Sequence, residues 1–298
     1  MSNAARETMQ TVRDMVRFAT TRFNEEKVHY GHGTDNAFDE AVHLTLSTLS
    51  LPLDKLEPFL DAKLMEAEIN SLIEMIERRC KNRLPVPYLT RLAHHMGYPF
   101  YVDERVLIPR SFIGELLIQT GLSAWISDPD AVTDILDLCT GSGALAIQAA
   151  DVFPHAKIDA VDVSADALQV AQRNLENYGL KDRIQLISSD LFNALSRKRY
   201  DLIITNPPYV NAASMNQLPA EYQHEPKIAL MGGVDGMDVI KNIIRGARAH
   251  LNPGGILVME IGHEKSNFQA VFPDMQLSWL SCSAGDDQVL LVTREMLP

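Results

Sequence analysis

Apolar positions recur every three or four residues through the first 85 positions of the chain, at Val12, Met15, Val16, Ala19 and Phe23 and again at Ile69, Leu72, Ile73 and Ile76. That period puts each set on one face of a helix, so the region is expected to form a small helical bundle. Glycine is nearly absent from it. Gly31 and Gly33, in Tyr30-Gly-His-Gly-Thr-Asp, mark a loop between the first helix and one beginning near Asn36. From Leu84 to Pro109 the pattern changes to Pro-Val-Pro-Tyr-Leu, Gly97-Tyr-Pro-Phe-Tyr-Val and Val106-Leu-Ile-Pro, which suits short extended pieces, turns and a hairpin.

From Thr133 onward, runs of strand length alternate with helical ones. Ile135 to Cys139 is followed by a helix from Ala144 to Val152, then Ile158 to Asp162 by a helix from Ala165 to Tyr178. Further apolar strands are expected at Ile184 to Ser188, Leu202 to Thr205 and Ile256 to Ile261. Such alternation implies a parallel sheet with helices on both faces. The last two runs, Leu277 to Cys282 and Gln288 to Val292, are separated only by Ser283-Ala-Gly-Asp-Asp, too short for a helical crossover, so they should pair antiparallel at the sheet edge. The expected architecture is α/β. A doubly wound, mostly parallel sheet with an antiparallel edge strand occupies residues 111–298, a linker with a hairpin residues 86–110, and a small helical domain residues 1–85.

Composition narrows the partners. At 298 residues and 46% hydrophobic, the chain can bury a sizeable core. The 27 Lys and Arg residues against 39 Asp and Glu leave a formal charge of -12, which disfavours a broad phosphate-binding face and suits a basic protein partner. Cys80, Cys139 and Cys282 lie far apart with no Cys-x-x-Cys pair, so neither a zinc cluster nor a disulfide framework is expected. Arg6, Arg13, Asp14 and Arg17 interrupt the N-terminal apolar residues, and no apolar stretch nears the roughly 20 residues that span a bilayer. A cytoplasmic chain with neither signal peptide nor membrane anchor is expected.

The first chemical signal is Ile135-Leu-Asp-Leu-Cys-Thr-Gly-Ser-Gly-Ala, a buried strand running into a glycine loop and a helix. Gly141 and Gly143 allow close approach of a ligand to backbone, and the helix start offers free N-H groups. Asp162 ends the next strand about twenty residues after the loop, where a carboxylate can accept two ribose hydroxyls. Its alternative role is to cap the helix opening near Ser164, but Ser164 already fills that position. Asp190 ends the third strand in Ser188-Ser-Asp-Leu-Phe, where it could receive an adenine amino group while Leu191 or Phe192 packs on the ring; the plainer alternative is an acidic loop residue. The spacing is neither Gly-x-Gly-x-x-Gly nor Gly-x4-Gly-Lys-Ser/Thr, which disfavours nicotinamide and triphosphate ligands. Together these residues resemble the class I S-adenosylmethionine methyltransferases. The resemblance implies that Asp137, Thr140, Gly141 and Gly143 hold the methionine part, Asp162 the ribose and Asp190 with Leu191 or Phe192 the adenine.

After the fourth strand stands Asn206-Pro207-Pro208-Tyr209, placed by the sheet at the carboxyl ends of the strands, where ligands bind in open α/β folds and where Asn206 also faces the cofactor. An amide or aromatic amine is a poor nucleophile because its lone pair is delocalised. Asn206 offers a side-chain carbonyl and Pro207 a main-chain carbonyl in a segment with no competing N-H, while Pro208 holds Pro207 extended. Two acceptors can engage both N-H bonds of the substrate nitrogen and turn its lone pair toward a methyl donor. Tyr209 can cover the flat group. The tetrapeptide resembles the Asn/Asp-Pro-Pro-Tyr motif of methyltransferases that act on amide or exocyclic amino nitrogen.

That motif leaves two substrate classes, protein glutamine and nucleic-acid adenine, and the second usually needs a basic groove that this acidic chain lacks. Pro87-Tyr-Leu, Val106-Leu-Ile-Pro-Arg110, the tetrapeptide, Glu225-Pro-Lys-Ile-Ala-Leu and Gly232-Gly-Val-Asp-Gly236 look like the protein N(5)-glutamine methyltransferase family over nearly the whole chain. The release-factor enzymes of that family carry Ile-Pro-Arg-Pro, whereas this chain has Ile108-Pro-Arg-Ser111-Phe-Ile-Gly-Glu115 and His224-Glu-Pro. Those departures resemble the branch that methylates ribosomal protein L-three of the large subunit. The resemblance implies a basic, rRNA-binding substrate, which suits an acidic enzyme. Because its glutamine must reach a pocket beside the tetrapeptide, modification is expected before ribosome assembly. Neither a membrane nor a nucleic acid is expected as partner. A release-factor enzyme is the alternative within the family, and a non-catalytic assembly chaperone the alternative outside it. Arg110 either holds the cofactor-side loop through a carboxylate or snorkels at the domain junction, Glu115 reads as a first-turn helix acid with a role at the site as the alternative, and His224 as a loop hydrogen-bonder rather than a metal ligand. No metal is required.

Overall fold

In a computed structural model that describes residues 8–298, the chain divides into two compact units, Met1–Ala93 with Pro219–His224, and His94–Leu218 with Glu225–Pro298. The first unit is helical. α1 (Val12–Glu25) begins in a capping box, where the Thr11 hydroxyl accepts from the Asp14 amide and the Asp14 carboxylate accepts from the Thr11 amide. α2 (Ala37–Thr48) is capped by Asn36, and α3 (Glu66–Asn82) completes the bundle. The sequence periodicity lands where expected, since Met15, Ala19, Phe23, Leu72 and Ile76 are all fully buried in one cluster. The first seven positions lie outside the described residues.

Two features of this unit differ from expectation. Pro85-Val-Pro-Tyr-Leu is not extended but opens α4 (Val86–Thr90), because Pro87 lies in the first turn, where no N-H is needed, and Val86, Tyr88 and Leu89 go into the core. Residues 86–110 therefore do not form a separate linker; 86–93 belong to the first unit and 94–110 to the second. The unit also takes in Pro219–His224, a short piece of chain that follows the Asn-Pro-Pro-Tyr loop. Arg79 explains why. Its guanidinium, essentially unexposed, bonds Glu40 at 2.7 Å, Glu221 at 3.1 Å and the His29 carbonyl at 2.7 Å, and Glu221 also accepts from the His29 amide. Tyr222 adds a ring contact with His32 at 4.4 Å, and His224 bonds the Asn82 carbonyl.

The second unit opens with the expected hairpin of β1 (Leu92–His95) and β2 (Tyr98–Tyr101); the passage between units falls within β1. α5 (Phe112–Thr120) leads to β3 (Asp134–Leu138), α6 (Ala144–Val152), β4 (Lys157–Asp162), α7 (Ala165–Tyr178), β5 (Ile184–Ser188) and β6 (Tyr200–Thr205). Then come the short α8 (Ala212–Met215), α9 (Asp238–Ala247), β7 (Leu251–Glu260), α10 (Lys265–Val271), β8 (Ser278–Cys282) and β9 (Gly285–Thr293). The strands order as β5-β4-β3-β6-β7-β9-β8, with β5 to β7 parallel and β9 antiparallel to both β7 and β8. β7 begins five residues before the expected Ile256, because Leu251 still pairs with Tyr200 across an irregularity. Leu136, Leu138, Ile203 and Leu257 pack with Ile240, Ile243 and Ile244 of α9, while Asp137, one position out of phase, meets α6 on the other face. The winding reverses between β3 and β6. Leu138 and Thr205 are register partners there, and the Thr205 hydroxyl donates to the Leu138 carbonyl at 2.9 Å, so the glycine loop and Asn206 leave the sheet side by side.

Candidate active site

Above that switch point lies a cavity of about 340 Å³ lined by both expected carboxylates, Asp162 and Asp190, and by Gly141, Leu191, Asn206 and Pro208. Its lining also includes Val163, Ile228 and Met231, all more than half exposed. A smaller chamber of about 50 Å³ is lined by Arg110, Ser111, Thr140, Gly141, Ser142 and Asn206, among others. Leu107, Cys139, Gly141 and Asn206 line both, so the two chambers meet at Asn206.

The glycine loop is shaped for a ligand. Cys139 and Gly141 both take positive φ, 60° and 56°, and a Cβ added to Gly141 would meet nothing within 4 Å. The Gly141 amide donates to Asp162 Oδ2 at 2.9 Å, and the Ser164 amide to Oδ1 at 2.9 Å. Ser164 itself caps α7 by accepting from Ala167, which leaves the Asp162 carboxylate free to look into the cavity with one bond on each oxygen. Burial raises the Asp162 carboxyl above its ordinary range, against the Ser164 and Gly141 amides that favour its charge. Asp190 is exposed at the cavity rim. Gly143 takes φ 81° as N-cap of α6 and faces Ala171 rather than the cavity.

Asp137 is fully buried and does not line either chamber. Its Oδ2 accepts from the Thr140 hydroxyl at 2.5 Å and the Ala146 amide at 3.1 Å, and its Oδ1 has no partner among the described residues. Burial pushes its carboxyl up to about 7, against those two donors, with the charge of Asp162 adding to the rise. Its proton is therefore held in the folded chain and lost from the unfolded one between the ordinary carboxylate range and neutrality. Stability should fall as pH rises through that window and level off above about 7, and Asp137→Asn, which keeps the acceptor for Thr140 and Ala146, should remove that part of the decline. Urea denaturation midpoints of both proteins across the window measure it; parallel curves would show that Asp137 ionises normally.

The Asn-Pro-Pro-Tyr loop divides in two. Asn206 and Pro208 line the cavity, and the Asn206 side-chain amide makes no hydrogen bond among the described residues. Pro207 is buried and Tyr209 points elsewhere. Its hydroxyl donates to Glu260 at 3.1 Å, and its ring fills the space beside Gly262, where an added Cβ would stand 2.8 Å from Tyr209 Cζ. Tyr209 is thus not placed as a cover over the cavity. Phe192 does not line the cavity: it stacks on His250 at 4.7 Å and abuts Gly246, so of the two neighbours only Leu191, with φ 46°, is at the cavity wall.

Around the loop stand residues whose part was not read from the sequence. Glu225 accepts from both Arg110 guanidinium nitrogens, at 2.5 and 2.8 Å, and from the Ile108 amide at 3.0 Å, which decides Arg110 in favour of the carboxylate-bound alternative. Glu260, which ends β7, accepts at Oε2 from the Ser111 hydroxyl at 2.6 Å and the Phe112 amide at 2.9 Å. A charged residue closing the apolar run Ile256-Leu-Val-Met was the only hint of it in the sequence. Glu115 accepts from the amide and hydroxyl of Ser283, joining α5 to the terminal hairpin.

The geometry fits S-adenosylmethionine. The open face of Gly141, the Asp162 and Asp190 carboxylates at the cavity and the apolar Leu191 and Val163 are groups able to offer a close backbone approach, acceptors for hydroxyl and amine groups, and walls for a flat ring. No helix among the described residues is long and apolar enough to cross a membrane.

Comparison with known proteins agrees with that chemistry. A family model for the methyltransferase small domain matches residues 117–221. The ribosomal protein uL3 glutamine methyltransferase of Burkholderia pseudomallei is 56% identical over 296 residues, covering 97% of this chain and 96% of its own. The proteins of the same name from Neisseria gonorrhoeae and Bordetella pertussis are 54% and 52% identical over 297 residues, each covering 100% of this chain and 99% of its own. Among solved structures, the hMettl16 catalytic domain shares the fold with a TM-score of 0.51 and 14% identity, over 76% of this chain and 80% of that one.

Proposed function

Since the chain belongs to the ribosomal protein uL3 glutamine methyltransferase family, we propose that it methylates one glutamine side-chain amide of free uL3, in the cytoplasm and before that protein enters the large subunit. S-adenosylmethionine is the cofactor, and when bound it supplies an electrophilic methyl group. The rest of the reading concerns what this chain does with the amide.

The carrying observation is the unpartnered Asn206 amide at the wall shared by the two chambers. Its side-chain carbonyl is proposed to accept one N-H of the substrate nitrogen and the Pro207 carbonyl the other, which draws electron density back onto nitrogen and directs its lone pair. Asp162 is proposed to hold the ribose hydroxyls, Asp190 and Leu191 the adenine, and Gly141 with Thr140 the methionine end. Gly143 and Asp137 are proposed to act through the loop, Gly143 by starting α6 and Asp137 by fixing Thr140. A substrate-recognition role for the helical unit is supported by its possession of Pro219–His224, which begins ten residues after Tyr209. The formal charge of -12 suits a basic substrate, whose encounter rate should fall as salt rises through the screening range.

A labelled-methyl assay offering free uL3, release factor, finished large subunits and DNA separately, with mass mapping of the product, tests the reading. Methylation is expected on one glutamine of free uL3, with little on the other three. Comparable modification of release factor would move the chain to the sister branch, and methyl-adenine in DNA would end the protein-substrate reading.

A further inference from the structure

We infer that Glu260, together with Ser111, is a positioning residue that sets the place of Asn206 by gripping the Tyr209 phenol. The inference rests on Asn206 being the acceptor proposed above. Pro207 and Pro208 have no N-H with which to fasten themselves, and their rings restrict φ, so the segment behaves as a stiff rod. A rod is placed by its two ends. One end is Thr205, fixed in β6 by its register with Leu138 and by its hydroxyl bond to that carbonyl. The other end is Tyr209.

Tyr209 is fastened at three points. Its main chain passes so close to Gly232 that a Cβ there would lie 2.7 Å from Tyr209 Cα. The neighbouring Val210 bonds the Leu230 carbonyl and accepts from the Gly232 amide, at 2.8 and 2.9 Å. The ring fills the space left by the missing side chain of Gly262. Only the phenol contact is adjustable by side-chain chemistry, and it ends on Glu260. Glu260 is 2% exposed and receives three donors, the Tyr209 hydroxyl on Oε1 and the Ser111 hydroxyl and Phe112 amide on Oε2. A buried carboxylate with that many donors is held in one orientation, and it carries the position of the α5 start to the far end of the catalytic rod.

The test compares Tyr209→Phe, Glu260→Ala, Glu260→Gln and the Tyr209→Phe/Glu260→Ala double variant with Asn206→Ala, measuring kcat and KM on free uL3 and cofactor affinity by calorimetry. Tyr209→Phe and Glu260→Ala should each lower kcat about tenfold or more, as a small misplacement of a reacting group does. Cofactor affinity should stay within about threefold of the parent, because neither residue lines the cofactor cavity. Glu260→Gln should restore most of kcat, since its carbonyl can serve Ser111 and Phe112 while its amide donates to the phenol oxygen. The double variant should be no slower than the worse single one, as expected of two groups acting through one contact. Should Glu260→Ala fail to fold, Tyr209→Phe and Glu260→Gln still decide the matter. Parental kcat in Tyr209→Phe beside an inactive Asn206→Ala, or additive losses in the double variant, would overturn the inference alone. Parental kcat in Asn206→Ala would overturn the underlying reading.

Discussion

Asn206→Ala is expected to bind cofactor with unchanged affinity and to lose about a hundredfold or more in turnover, the loss typical of removing one preorganised hydrogen-bonding group from a transition state. The amide has no other structural duty among the described residues, so its removal breaks no hydrogen bond in the resting protein. Stability should therefore stay within about 0.5 kcal/mol of the parent, as for substitutions away from packed or bonded features. KM for uL3 should rise only modestly, because the acceptor acts most strongly on the pyramidal nitrogen and less on the planar amide that first binds. Single-turnover rates with saturating cofactor, together with calorimetric affinities, give the answer. Turnover within a few fold of the parent would rule out the two-acceptor arrangement, and a matching loss of cofactor affinity would make Asn206 a binding residue instead.

Arg79→Met should produce the largest loss of stability. It leaves Glu40 and Glu221 buried without their cation, and the His29 carbonyl without a donor. Removing one partner from a buried ion pair costs about 3 to 5 kcal/mol, chiefly through the charge left behind. Arg83, 3.7 Å from Glu221 and partly exposed, can compensate on one side only. Arg79→Lys should recover part of the loss, because an ammonium keeps the charge but cannot reach three acceptors in three directions as the planar guanidinium does. Thermal melts and hydrogen exchange at residues 219–224 would report it, with exchange there faster in Arg79→Met. An unchanged melt with unchanged exchange would mean that apolar packing alone holds this segment.

The α/β domain was legible because periodicity is a local property. β3 to β6, α6 and α7 all fall within two residues of their expected bounds, and the antiparallel tail follows from a turn too short for anything else. That Asp162, Asp190 and Asn206 come together at one cavity was legible because strand ends converge at a switch point whatever the loops do. Leu191 and Phe192 could not be told apart in the sequence, being adjacent and both apolar; in three dimensions Leu191 lines the cavity while Phe192 stacks on His250. Tyr209 was misread for a related reason. Its chemistry suits covering a flat group, but its carboxylate partner lies 51 residues further along the chain. Glu221, Glu225 and Glu260 all show this limit, since the partner of a buried carboxylate is set by tertiary packing and leaves no mark at fixed spacing.

The return of Pro219–His224 to the helical unit also has a meaning in time. While the protein is being made, Arg79 and Glu40 emerge from the ribosome long before Glu221, which follows Arg79 by 142 residues. At about 5 to 20 residues per second, that delay amounts to roughly 7 to 28 s. For that interval the nascent bundle has a guanidinium with one carboxylate where the finished protein has two, and His29 and His32 lack the Tyr222 ring that later meets them. The helical unit is completed only when a piece of chain that begins ten residues after Tyr209 arrives.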